Sequence, residues 1–177
     1  MFIRQFESSR KPKFIDSLMI KVLFVCLGNI CRSPLAEAIM NHKVKERKLD
    51  HLIQSDSCGT SNYHIGKAPD HRSISCAEGR GILIDHAGRQ ISQGDFEEFD
   101  YIIVMDQSNL NNVRSLMESS GQSHPHIYLM REFQPNAAHM EVPDPYFGEA
   151  EGFEEVYEIL DESIDHLLDR VIQEQGL

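Results

Sequence analysis

Residues 20–40 constrain this chain more than any other stretch. Ile20 to Val25 is a nearly unbroken apolar run, rich in β-branched residues. That is the pattern of a strand covered on both faces in a parallel sheet. From Pro34 the period becomes helical, with Leu35 and Ile39, and Ala36 and Met40, spaced four apart. Pro34 suits a first helical turn, and Ser33 before it reads as the N-cap. Only the seven residues Cys26 to Arg32 separate the two elements, and Gly28 and Asn29 among them tolerate positive φ best. The spacing predicts strand, tight loop, helix.

A chain that turns this abruptly from strand to helix points successive backbone N–H groups into one concavity, and the helix start adds its positive end. Such a nest, built from Leu27, Gly28, Asn29, Ile30, Cys31 and Arg32, fits an oxyanion the size of phosphate. Arg32 adds a planar fork for two of the anion's oxygens. Cys26 stands at the mouth as a candidate nucleophilic thiolate. A thiolate beside an oxyanion cradle, without metal ligands, describes phosphoryl transfer through a cysteinyl-phosphate.

The remaining chain alternates. Leu52–Ser57 reads as a second strand, Pro69-Asp70 opens a second helix that ends near Gly79 and Gly81, and Tyr101–Met105 is another buried strand. A helix follows over about 107–117, then a short strand at Ile127–Leu129, a long proline-bearing loop and a closing helix over about 152–172. This order predicts an α/β domain: a doubly wound, four-stranded parallel sheet flanked by helices on both faces. Its ligand belongs beyond the carboxyl ends of the strands, where Cys26 falls. Residues 19–177 form the expected single domain. Residues 1–18, mildly basic and without a clean period, read as an N-terminal extension or an over-long start.

A net charge of −11 argues against nucleic acid as a partner, and no apolar run approaches a membrane span. The four cysteines, Cys26, Cys31, Cys58 and Cys76, fit no common zinc spacing, and there is no secretory apolar core, which points to a reduced cytoplasmic protein. Neither metal nor cofactor is expected.

Phosphoryl transfer also needs an acid for the leaving oxygen and a base for water. Asp144, between Pro143 and Pro145, is a candidate, although Pro-Asp-Pro is equally ordinary turn chemistry. Tyr63, Tyr146 and Phe147 are candidates for the walls of a pocket around a phenyl ring; core packing is the alternative, most of all for Phe147. His86 by itself reads as a solvated loop histidine. The other histidines, His124 and His126 included, read as surface residues, and the acidic residues Glu154, Glu155, Glu158, Asp161, Glu162 and Asp165 as the solvated face of the last helix.

Val-Leu-Phe-Val-Cys-Leu-Gly-Asn-Ile-Cys-Arg-Ser-Pro at 22–34 resembles the signature of the low-molecular-weight protein tyrosine phosphatases. So do the stretches at Asp56–Ser61, Asp85–Gln90, Phe99–Asp106 and Val142–Gly148, in order. The resemblance implies a protein-tyrosine-phosphatase acting on phosphotyrosine proteins or small aryl phosphates, with inorganic phosphate or vanadate as ligands. It implies Cys26 as nucleophile, Arg32 as phosphate ligand and Asp144 as acid and base. It makes Asn29, Ser33, Ser57 and His86 a supporting hydrogen-bond network, with Glu37 and Asp56 beside His86. Ile30, Tyr63, Tyr146 and Phe147 become the substrate pocket, and Cys26 with Cys31 a redox pair. Arsenate reductase, a rival with the same nest, needs resolving cysteines downstream, and none follows Cys76. Protein arginine phosphatases tend to carry threonine at the position of Ile30, whose bulk favours phosphotyrosine. A phosphate binder without chemistry would lack nucleophile or acid, and both are present.

Overall fold

The structure is a computed structural model that describes residues 19–177; the extension expected at 1–18 lies outside the described residues. Strand β1 (Ile20–Cys26) enters helix α1 (Arg32–Glu46). There follow β2 (Ile53–Gly59), α2 (His71–Glu78), the short α3 (Asp95–Glu98), β3 (Tyr101–Val104), α4 (Gln107–Ser119), β4 (Ile127–Leu129) and α5 (Ala150–Gln175). The four strands form one parallel sheet in the order β2-β1-β3-β4. The chain therefore reverses direction across the sheet at β1, and the crevice beyond the carboxyl ends of β1 and β3 is the place for a ligand.

Alternation along β1 builds both cores. Val22 and Phe24 pack under α1, α2 and α5 with Leu35, Ile39, Met40, Phe153, Leu160 and Leu167. Leu23 and Val25 face the opposite cluster, with Phe96, Ile102, Leu110 and Val113 under α3 and α4. Both faces of β1 are dry, which explains why its sequence is a run rather than an alternation.

Two local expectations change. Helix α1 begins at Arg32, with Cys31 as its N-cap and no side-chain capping bond. Ser33 thus lies inside the first turn, and its hydroxyl is spent elsewhere. Positive φ in the loop falls on Asn29 alone (56°). Gly28 serves space instead: a Cβ there would come within 3.1 Å of His64 Cδ2.

Candidate active site

Cys26 ends β1 at the floor of a cavity of about 380 Å³ lined by Leu27, Gly28, Ile30, Cys31 and Arg32 below and by Tyr63, His64, Asp144, Tyr146 and Phe147 around the rim. The loop curls so that Asn29 N–H donates to Cys26 Sγ at 3.3 Å. Ser33 Oγ lies 3.0 Å from the same sulfur. Asn29 Nδ2 donates to Ser33 Oγ at 2.9 Å, which leaves the hydroxyl proton to turn to the sulfur or to the Cys58 carbonyl at 3.3 Å.

Behind the loop, Asn29 organises a network from three elements. Its Nδ2 also donates to Ser57 Oγ (3.0 Å), and its Oδ1 accepts from Arg89 N–H (2.8 Å). The Arg89 bond fixes Oδ1 as acceptor, so His86 Nε2, 2.8 Å away, is the donor. His86 Nδ1 faces Glu37 Oε2 at 3.1 Å, and Glu37 also accepts from Ser57 Oγ at 2.7 Å. Among the described residues, Glu37, Asp56 and His86 bring ligand-type atoms within 4.8 Å of one another. Those atoms have partners: Asp56 is paired with the Arg89 guanidinium at 2.8 Å, and Glu37 accepts from Ser57. The group is a hydrogen-bond network, and both carboxylates expected beside His86 are there.

The Arg32 side chain is 3% exposed. Its Nη1 donates to Asp106 Oδ2 (2.7 Å) and to the Val142 carbonyl (3.1 Å), and its Nη2 to Asp144 Oδ2 (3.0 Å). Burial works against the charge, but Cys26, Asp144 and Asp106 outweigh it and raise the guanidinium pKa further. Burial first, then the neighbouring Asp70, Cys26 and Asp144, pushes the Cys31 thiol up to about 12. Cys31 is thus a neutral thiol under the loop.

Asp144 hangs over the nest on the 143–148 turn, and Arg72 holds that turn. Arg72 Nη1 donates to the Gly148 carbonyl (2.8 Å) and Nη2 to the Tyr146 carbonyl (3.0 Å). Asp70 fixes Arg72 through Nε (3.0 Å) and Nη2 (2.9 Å), while Asp70 N–H donates to the Ile30 carbonyl at 2.7 Å. One Asp–Arg pair therefore ties the loop after Cys26 to the loop that bears Asp144.

The sequence reading missed four residues here. Asp106, two residues past β3, has the topological signal of a strand's carboxyl end. His64 was read as a surface residue but lines the cavity. Asp70 was read only as a helix start, and Arg72 had no signal. Phe147 is 97% exposed, so core packing is excluded for it; it meets Tyr146 edge-on with centroids 4.9 Å apart. His124 and His126 are half-buried, with His126 stacked on Tyr101 at 5.0 Å. Much of the α5 acidic face is paired: Glu154 and Glu158 with Arg80, Asp161 and Asp165 with Lys43.

The model of one protein family, described as low molecular weight phosphotyrosine protein phosphatase, matches residues 21–176. A yeast (Saccharomyces cerevisiae) low molecular weight phosphotyrosine protein phosphatase is 41% identical over 143 residues, which are 79% of this chain and 88% of the relative. The crystal structure of YfkJ from Bacillus subtilis superposes with a TM-score of 0.82 at 38% identity, covering 90% of this chain and 98% of that one. A structure named as a drosophila arginine phosphatase reaches a TM-score of 0.82 at 36% identity, covering 86% of this chain and 98% of its own.

Proposed function

This chain belongs to the low molecular weight phosphotyrosine protein phosphatase family, and from that premise we propose how its own residues carry the reaction. The enzyme is a cysteine-dependent, metal-independent protein-tyrosine-phosphatase. Cys26 thiolate attacks phosphorus; the S–P bond forms as the P–O bond to the phenol breaks, and Asp144 gives its proton to the leaving oxygen. Asp144, now a carboxylate, takes a proton from the water that attacks the cysteinyl-phosphate, releasing inorganic phosphate and the thiolate. The N–H groups of residues 27–32 and the Arg32 fork hold the equatorial oxygens, where transition-state charge spreads. Asn29, Ser33, Ser57 and His86 hold the loop in shape. Ile30, Tyr63, Tyr146 and Phe147 receive the ring, and the apolar Ile30 favours a phenyl ester over phosphoarginine. Phosphate and vanadate are the expected inhibitory ligands, and the cytoplasm the expected compartment.

The observation that carries this reading is the convergence of three side chains from separate segments. Cys26 and Arg32 share one cavity floor, and Asp144 lies 3.0 Å from Arg32 above it. The test is hydrolysis of p-nitrophenyl phosphate with a metal chelator present. Wild type is expected to turn over, Cys26→Ser to lose turnover but still bind vanadate, and Arg32→Ala to lose both. Appreciable hydrolysis by Cys26→Ser would sink the covalent mechanism.

We also propose Cys26 and Cys31 as a redox pair. Peroxide oxidises the Cys26 thiolate to sulfenic acid, and condensation with the Cys31 thiol forms the S–S bond and releases water.

A further inference from the structure

The 63–67 segment, which supplies Tyr63 and His64 to one side of the catalytic cavity, has little packing of its own. Tyr63, Ile65, Gly66 and Lys67 are exposed, and His64 is half-buried. Before it, Thr60 and Ser61 N–H donate to the Cys26 and Leu27 carbonyls, and beyond it Asp70 N–H donates to the Ile30 carbonyl. Between those ends, among the described residues, its backbone partner outside the segment is Gly88. Gly66 N–H donates to the Gly88 carbonyl at 2.7 Å, and Gly88 N–H donates to the Lys67 carbonyl at 2.8 Å.

Gly88 is buried, and the segment lies where its side chain would be. A Cβ there would stand 2.5 Å from the His64 carbonyl oxygen and 3.5 Å from that of Lys67. Both are backbone atoms, which have no rotamer in which to step aside. The His64 ring in turn lies over the phosphate loop, 3.1 Å from where a Cβ on Gly28 would be. On either side of Gly88, His86 Nε2 and Arg89 N–H bond Asn29 Oδ1, both at 2.8 Å. The stretch 86–89 therefore braces the phosphate loop and seats the cavity wall at once.

We propose that Gly88 is a positioning residue for this wall: lacking a side chain, it lets the 63–67 segment close onto the brace, and so sets how far the ring-binding face stands from the phosphate nest. The proposal rests on reading the cavity as an aryl phosphate site. The anion is held by the loop N–H groups and Arg32, whereas the wall touches only the ring. Alanine at 88 must push the His64 carbonyl back by roughly 1 Å to reach ordinary contact, which costs the ring its fit and leaves the anion's bonds in place.

The test measures competitive inhibition of p-nitrophenyl phosphate hydrolysis by inorganic phosphate, which fills the nest alone, and by phenylphosphonate, which adds a ring that cannot be cleaved off. Wild type is expected to bind phenylphosphonate the more tightly. In Gly88→Ala that preference should fall roughly three- to ten-fold, the range of one aromatic contact, while the phosphate inhibition constant stays unchanged. Gly66→Ala strains the same latch from open space, since Gly66 has φ 76° and nothing within 4 Å of its missing Cβ; a smaller fall in the same direction is expected. Thermal unfolding checks both variants, and Gly66→Ala gives the readout if Gly88→Ala does not fold. An unchanged preference, equal weakening of both inhibitors, or no preference in wild type would overturn the role of Gly88. Failure of wild type to hydrolyse p-nitrophenyl phosphate would instead overturn the reading of the cavity.

Discussion

Asn29 holds φ at 56°, a conformation that costs a non-glycine residue roughly 1 kcal/mol. Bonds to Ser33, Ser57, His86 and the Arg89 N–H offset that cost. Gly59 completes the fit, since a Cβ there would lie 2.8 Å from the Leu27 carbonyl oxygen. The loop is shaped before any phosphate arrives, and the chemistry is left to few side chains. Asp144→Asn is expected to slow esters of poor leaving groups, phosphotyrosine among them, by about 10²-fold or more, and good leaving groups much less. Equal losses across a leaving-group series would assign the acid elsewhere. Glu141 would be a poor substitute, because its carboxylate caps α4 by accepting from Gln107 N–H at 2.8 Å. For the redox pair, peroxide inactivation followed by a thiol reductant should restore most wild-type activity and much less in Cys31→Ser. With the Cys31 thiol at about 12, little of it is thiolate near neutral pH, so disulfide formation should quicken as pH rises. Equal recovery in the two proteins would leave Cys31 a packing residue.

Among the elements, α2 has a function that its eight residues do not advertise. Asp70 caps it by accepting from Arg72 N–H at 2.9 Å, and the Asp–Arg pair at this end spans the two loops of the site. The Arg72 guanidinium also lies over the Phe153 ring of α5, 4.4 Å from its centroid. Arg72 is therefore a positioning residue for Asp144. Arg72→Ala should lower kcat for poor leaving groups, by up to about 10²-fold if the acid moves by 1 Å, while KM changes little. Arg72→Lys should recover only part of this, since an ammonium cannot fork to two carbonyls and a carboxylate together. Loss of KM and kcat alike for all esters would mean that the substitution had disturbed the fold instead. Helix α1 shows the opposite economy. Buried toward the sheet, α2 and α5 through Leu35, Ala36, Ile39, Met40 and Val44, it meets the α5 acids through Lys43 in its last turn and Arg47 just past its end, at 2.6–2.9 Å.

At the scale of the molecule, the net charge of −11 leaves acids in excess, and pairings such as these set the response to acid. Desolvation tends to raise the Asp165 pKa, but Lys43 and Arg47 more than offset it and hold the carboxyl below its ordinary value. Hydrogen bonds from Arg72 do the same for Asp70. A depressed carboxylate contributes stability that is full above its unfolded value, about 4, and is lost as pH falls through its folded value. Lys43→Met should therefore destabilise the protein at neutral pH, and its denaturant-unfolding curve should converge with that of wild type below about pH 3. A constant gap down to that pH would mean that Lys43 acts through packing. The strand, the tight loop, the body of α1 and the parallel sheet were legible because each is written in contiguous residues, as a run, a turn or a period. Ser33 was misread for a local reason: a hydroxyl at a helix start can cap or turn away, and only the nearness of Cys26 and Asn29 decides which. Asp106, His64, Asp70 and Arg72 carry no period, and Asp144 lies 112 residues beyond Arg32. The sequence by itself determined the strand, the tight loop after it and the place of Cys26 at their junction, because backbone dihedrals and apolar spacing act over short stretches. Tertiary structure decided what orients them, because packing the segments after β1, β2, β3 and β4 at one end of the sheet brings distant charges within hydrogen-bond range.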